Sequence, residues 1–197
     1  MSKPTKKFTT QASLDSHIWA ACDILRRSNC AGALQYVPEL TWLLFLRILD
    51  IKEEGESEVA ATLSKPYQFS LEEPYRWKDW AAPFDKKELE KNPKAQGNKR
   101  YTLTEKSSSG TYFQFVNQDL LPYLKKLRDK PNATSRQKVI SEMIASVDRT
   151  KVDSEKNFQD VLDKIHQIKQ DDVDDTHIFT LSQVYEGLLL KMGEKGK

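Results

Sequence analysis

Basic side chains cluster at a few places along the sequence: Lys3, Lys6 and Lys7 near the start, Arg26 and Arg27 as a pair, then Lys99, Arg100 and Lys106. Such residues can neutralise nucleic-acid phosphates, and release of the condensed counterions then gives affinity without reading bases. Any one of them alone reads as ordinary solvated charge; together Arg26, Arg27, Lys99, Arg100 and Lys106 are the candidate nucleic-acid phosphate contacts. The stretch RWKDW interleaves Arg76, Trp77, Lys78 and Trp80, a composition that also suits base stacking. Tryptophan is costly to expose, however, so the spacing is read as a core plug, as are Trp19 and Trp42.

Other chemistry lacks its residues. His17, His166 and His177 fall on separate elements, and no helix brings two of them one turn apart as zinc sites often do. Asp171, Asp172, Asp174 and Asp175 have neither the glycine nor the closing glutamate of a calcium loop, and they read as a solvated turn before a helix. Cys22 and Cys30 lie outside any zinc spacing, and Cys22 reads as a small buried hydrophobe. The seven glycines form no G-x-G turn and no phosphate loop, and there is no G-x-S-x-G elbow. The sequon at Asn132 is a chance match in a chain without a secretory signal. No catalytic, cofactor-binding or metal-binding residue is assigned.

The elements that would carry these residues are helices. Hydrophobic residues make up 38% of the chain and charged ones 30%, with few glycines, which suits helices with wide solvated faces. A formal charge of +2 names no partner by itself. Leu14, Ile18, Cys22 and Leu25 recur on one face of a helix opened by Ser13. A second helix starts at Pro38, with Glu39 beside it, and its segment LTWLLFLRILDI is apolar nearly all round, as in a central helix. Arg47 and Asp50, three apart, can meet on it. That run is too short, and too interrupted by charge, to cross a membrane.

The chain then turns acidic around Gly55 and enters a proline-punctuated, loop-rich segment. A short helix precedes Pro93, and Tyr101 and Leu103 suggest a small β-hairpin. Helices resume over NQDLLPYLKKL. Thr134 and Gln137 form a capping-box pattern opening the next helix, whose apolar face is Val139, Ile140, Met143, Ile144 and Val147. Phe158, Val161, Leu162, Ile165 and Ile168 mark another helix, and Leu181, Val184, Tyr185, Leu188, Leu189 and Met192 the last. The expected fold is mainly α, a helical bundle with an irregular middle that holds the hairpin.

Three stretches carry a resemblance. IWAACDILRRSNCAGALQYVPELTWLLFLRILD is similar to the opening of the modification (methyltransferase) subunit of type I restriction-modification systems, and RQKVISEMIASVDRTKVDSEKNFQDVLDKIHQI looks like later helices of the same amino-terminal domain. TLSQVYEGLLLKMGE is similar to the helix that leads into that family's catalytic domain. The resemblance implies a basic tail over 1–12, the amino-terminal helical domain over 13–170 and a linker helix over 171–197. It also implies that a Rossmann-like catalytic domain follows Lys197.

The family's cofactor-binding glycine motif is absent, and Asn92-Pro93 continues with Lys94 instead of the second proline of its target-amine motif. The resemblance thus implies an inactive domain of a larger cytoplasmic enzyme. That enzyme transfers methyl from S-adenosylmethionine to the exocyclic amine of adenine in double-stranded DNA. The implied partners are the DNA, a specificity subunit, a second modification subunit and a restriction subunit, with no membrane. The alternative is a helical protein-interaction adaptor without a direct DNA role. A self-contained small enzyme is disfavoured by the missing constellations.

Overall fold

The computed structural model describes residues 11–28, 33–92 and 97–169. Among them the regular structure is helical, with no strand. The described residues divide into two compact units, one made of those up to 56 together with 151–169, the other of those within 57–150.

In the first unit, α1 (Gln11–Arg27) buries the predicted stripe of Leu14, Ile18, Cys22 and Leu25, each at most 1% exposed. Ser13 falls inside this helix. Helix α2 (Ala33–Thr62) is longer at both ends than the sequence suggests. Pro38 sits within it, forfeiting one backbone bond, and Glu39 is buried and accepts the Lys151 N–H at 3.3 Å instead of flanking a helix start. At the far end the helix continues through Gly55. The local cost of about 1 kcal/mol for a helical glycine is outweighed by strong helix formers around it and by burial of Ile51 and Glu53 in the turn before.

The apolar character of α2 is used on several sides. Leu40, Trp42, Leu43, Leu46, Leu49 and Ile51 are buried, while Leu44, Phe45 and Ile48 are half-buried. Helix α9 (Glu155–His166) begins at Ser154, whose hydroxyl accepts the Asn157 N–H at 3.2 Å. Its predicted residues Phe158, Val161, Leu162, Ile165 and Ile168 are all buried, with Phe158 against Trp42 at 6.4 Å between ring centroids.

Polar side chains finish the last turn of α9. His17 donates from Nε2 to the Lys164 carbonyl at 2.6 Å, which requires a proton on that nitrogen because a carbonyl can only accept. Arg47 donates to the Ile168 carbonyl from Nε and Nη2, to the His166 carbonyl from Nη2, and to Asp50 from Nη1. The predicted pair of Arg47 and Asp50 thus forms, but it is buried at 7% and 6% exposure. Loss of hydration pushes the Arg47 pKa down, opposed by Asp50 and Glu54. Placed at a helix C-terminus, the cation also meets the negative end of the dipole.

The second unit packs α3 (Trp77–Trp80), α4 (Lys87–Lys91), α5 (Lys99–Glu105), α6 (Thr111–Gln114), α7 (Leu121–Lys126) and α8 (Ser135–Ile144). The predicted hairpin is not formed. Tyr101 and Leu103 lie on α5, because Asn98 accepts the Tyr101 N–H at 2.9 Å and nucleates a helix there. Gly97, at φ 76°, makes the preceding turn, and a Cβ there would stand 2.5 Å from the Tyr101 ring.

Between α6 and α7 the chain is π-helical over Phe115–Leu120, directly ahead of Pro122, whose missing N–H and ring bulk disfavour the α-helical bond at that point. Helix α8 has the predicted capping box of Thr134 and Gln137. Its buried face is narrower than expected: Ile140 and Ile144 are interior, whereas Val139 is 50% and Met143 38% exposed. Val147 lies beyond the end of the helix and is half-buried. Ser141, also on the buried side of α8, donates to the Leu124 carbonyl at 2.8 Å and accepts the Arg128 N–H at 2.9 Å.

Candidate nucleic-acid interface

The five candidate cations are distributed over both units. Arg26 and Arg27 end α1, where the dipole favours positive charge. Both are exposed; Arg26 pairs with Asp23 and lies 5.9 Å from the Tyr36 ring, and Arg27 donates to the Asp23 carbonyl at 3.2 Å. Exposed pairs of this kind are weak and leave both guanidinium groups available to a phosphate.

Lys99, Arg100 and Lys106 belong to α5 and its C-cap, and they diverge. The Lys99 ammonium lies 5.4 Å from the Phe115 ring, at one end of a row in which Phe115 stacks on Tyr75 at 6.0 Å and Tyr75 on Tyr123 at 3.9 Å. Lys130 stands 5.3 Å from Tyr123 at the other end and pairs with Glu72, so the row is bracketed by ammonium groups. The Lys130 pKa is raised chiefly by its hydrogen bond to Glu72, and that of Tyr123 by burial.

Arg100 is only 6% exposed, and its Nη1 donates to the Ala81 carbonyl at 2.6 Å. Its guanidinium is thereby turned into the fold and away from a phosphate. It joins a set of side chains that close the end of α3. Asn98 donates to the Lys78 and Ala82 carbonyls at 3.1 and 2.9 Å, and Tyr112 donates to the Trp80 carbonyl at 2.5 Å. A four-residue helix leaves most of its carbonyls unpaired, and three neighbouring side chains supply the missing donors.

Lys106 is exposed, with its ammonium 5.4 Å from the Tyr101 ring. The same ring has Lys86 at 5.8 Å and Phe84 at 4.9 Å. Segment α4 and its flanks carry alternating charges, and nothing in their spacing shows that Lys86 meets Tyr101 fifteen positions later in the sequence. Trp77 and Trp80 are buried, edge to face at 5.6 Å, so they plug the core as expected; Trp42 is buried too, and Trp19 is half-buried. Arg76 stacks over Phe69 at 3.3 Å and is itself buried.

Burial pushes the Cys22 thiol up to about 12, which makes it an inert packing group. Lys3, Lys6, Lys7, Cys30, the aspartates from Asp171 to Asp175, His177 and the apolar stripe from Leu181 to Met192 lie outside the described residues. No described helix is long and apolar enough to cross a membrane. The space between His17, Ile18, Ala21, Leu40, Leu44, Lys164, Ile165 and Ile168 is too small to hold a water molecule. Small-molecule sites occupy roughly 300–1,000 Å³, and this mostly aliphatic lining offers no carboxylate for a ribose. It does not fit S-adenosylmethionine.

The architecture is that of a helical module whose deeply buried charges serve the fold and whose exposed cations remain on its surface. The chain belongs to the HsdM N-terminal domain family, whose family model matches residues 14–176. It is 27% identical over 188 residues to the type I restriction enzyme EcoEI methylase subunit of Escherichia coli, covering 93% of this chain and 32% of that one. Among solved structures it is similar to a chain from a type I R-M system studied for complex assembly and conformational transition, with a TM-score of 0.60 and 32% identity over 93% of this chain and 31% of that chain. It is also similar to a modification subunit attributed to a type I restriction enzyme of Vibrio vulnificus YJ016, with a TM-score of 0.67 and 26% identity over 98% and 37% of the two chains. The chain spans about a third of the length of these relatives.

Proposed function

We infer that this chain is the DNA-enclosing and subunit-assembly domain of a cytoplasmic, adenine-specific type I DNA methyltransferase subunit. The observation that carries this reading is the family match over residues 14–176, supported by similarity to modification subunits over nearly the whole of this chain. Adenine must leave the base stack before its exocyclic amine can be methylated. A helical domain assists by holding the duplex through its backbone and by packing against the specificity subunit, the second modification subunit and the restriction subunit. Transfer of methyl from S-adenosylmethionine belongs to another part of the enzyme. Within this domain Arg26, Arg27, Lys99 and Lys106 are the exposed or half-exposed candidates for phosphate contact; Arg100 supports α3 and α5 instead.

Two measurements test the reading. Titration calorimetry of this chain with S-adenosylmethionine should give no binding heat, and a clear heat would overturn the division of labour. Fluorescence anisotropy with a labelled duplex should show affinity that falls steeply with salt. The second reading, an adaptor without a direct DNA role, is favoured by the exposed apolar side chains Val59, Leu63, Val139 and Met143 in the second unit. Capture of a specificity subunit without any salt-dependent duplex affinity would select the adaptor.

A further inference from the structure

The geometry points to a second-unit phosphate contact for duplex DNA, formed by Lys86 and Lys106 on the paired rings of Phe84 and Tyr101, with Glu105 competing for Lys86. It rests on the DNA-enclosing reading and names a surface for it. Two ammonium groups lie within 6 Å of one tyrosine centroid, at 5.8 and 5.4 Å, although they come from different segments of the chain. Phe84 packs on the same ring at 4.9 Å and steadies it. Lysine normally gives up much side-chain freedom on binding a phosphate, and holding both ammonium groups near a shared ring reduces that cost. Lys86 and Lys106 are nevertheless open to solvent, and the exposed Ser108 and Ser109 follow within the same loop as further donors.

Glu105 gives the surface a sign. Its Oε2 accepts from Lys86 at 2.7 Å, so a phosphate arriving at Lys86 must replace this carboxylate or tolerate its repulsion. A lysine pair serving only the fold would be helped by Glu105, whereas a lysine pair serving DNA is restrained by it. Substituting the acid therefore moves DNA affinity upward if the proposal is right, a change that damage to the fold does not mimic.

The test is duplex anisotropy across a salt series on the whole chain, with helicity and melting temperature recorded for each variant. The Lys86→Gln/Lys106→Gln variant should bind about three- to tenfold more weakly at low salt, with the slope of log K against log salt reduced by about two. Glu105→Gln should bind about twofold more tightly, and Lys156→Gln, an exposed change in the other unit, should bind as the parent does. Parent-like binding by both the double variant and Glu105→Gln, with the parent bound in a salt-dependent way, overturns this surface and leaves the DNA-enclosing reading standing. Absence of salt-dependent duplex binding by the parent overturns both. Weakening by the double variant together with a lowered melting temperature, and no gain from Glu105→Gln, assigns the lysines to the fold and also overturns the proposal.

Discussion

Arg47 holds the carbonyl of Ile168 with two hydrogen bonds, from Nη2 at 2.8 Å and Nε at 3.1 Å, across 121 positions of sequence. The bonds anchor the end of α9 to the middle of α2, with Asp50 balancing the charge. Replacing Arg47 by Met removes the cation beside a buried carboxylate and the donors to the Ile168 and His166 carbonyls, and should cost about 3–5 kcal/mol. The double variant Arg47→Met/Asp50→Leu should recover a large part of that loss. Urea unfolding of parent, single and double variants measures both numbers; equal loss in single and double would show that the charge of Asp50 is not what the Arg47 variant leaves uncompensated.

Arg100 and Tyr112 make a second stability prediction, aimed at separating fold from DNA contact. Tyr112→Phe leaves the Trp80 carbonyl without its donor and should destabilise by about 1–3 kcal/mol. Arg100→Met removes the donor to Ala81 and should destabilise by a similar amount. Under conditions where the variant remains folded, duplex affinity should stay near that of the parent, because the buried guanidinium faces Ala81. A clear loss of affinity without a stability change would return Arg100 to the phosphate-contacting set.

Most of the helical framework was legible in the sequence because periodicity reports burial. The stripes Leu14 to Leu25 and Phe158 to Ile168 lie inside, and the capping box at Thr134 forms as its spacing implies. Legibility failed where tertiary contacts override local signals. Pro38 and Gly55 look like boundaries, yet α2 runs through both because its neighbours favour helix and its side chains are buried on several sides. The segment around Tyr101 alternates like a strand, but a single Asn98 side chain starts a helix. At the candidate interface the sequence gives charge and not direction. Lys99, Arg100 and Lys106 read alike, and only the packing sends one to Phe115, one to Ala81 and one to Tyr101.

Helix α8 offers a contrast between two faces that its sequence alone does not separate. Ile140→Ala or Ile144→Ala removes a fully buried side chain and should cost about 2–5 kcal/mol. Val139→Lys and Met143→Lys change exposed positions and should alter stability by no more than about 0.5 kcal/mol. If the exposed face meets a partner subunit, the lysine variants should lose capture of the specificity subunit while melting like the parent. Destabilisation by the lysine variants as large as by the alanine variants would mean that Val139 and Met143 are interior in solution.

Cys22 yields a prediction in pH. Burial pushes its thiol up to about 12, against 9.0 when exposed, with Arg26 opposing the shift and Asp23 adding to it. Below pH 9 the thiol is neutral in folded and unfolded chains, and its contribution to stability is intact. As pH rises from 9 toward 12 the unfolded chain releases its proton first, so stability falls, by on the order of 1 kcal/mol per pH unit. Lysines and tyrosines titrate over the same range, so the Cys22→Ala variant supplies the reference: its stability should fall less steeply than that of the parent. At neutral pH the Cys22 peptide should stay unmodified by iodoacetamide in the native protein and react fully in urea, as read by mass spectrometry. Rapid native-state modification at Cys22, or identical pH slopes for parent and variant, would show that the thiol is not held in the dry interface of α1.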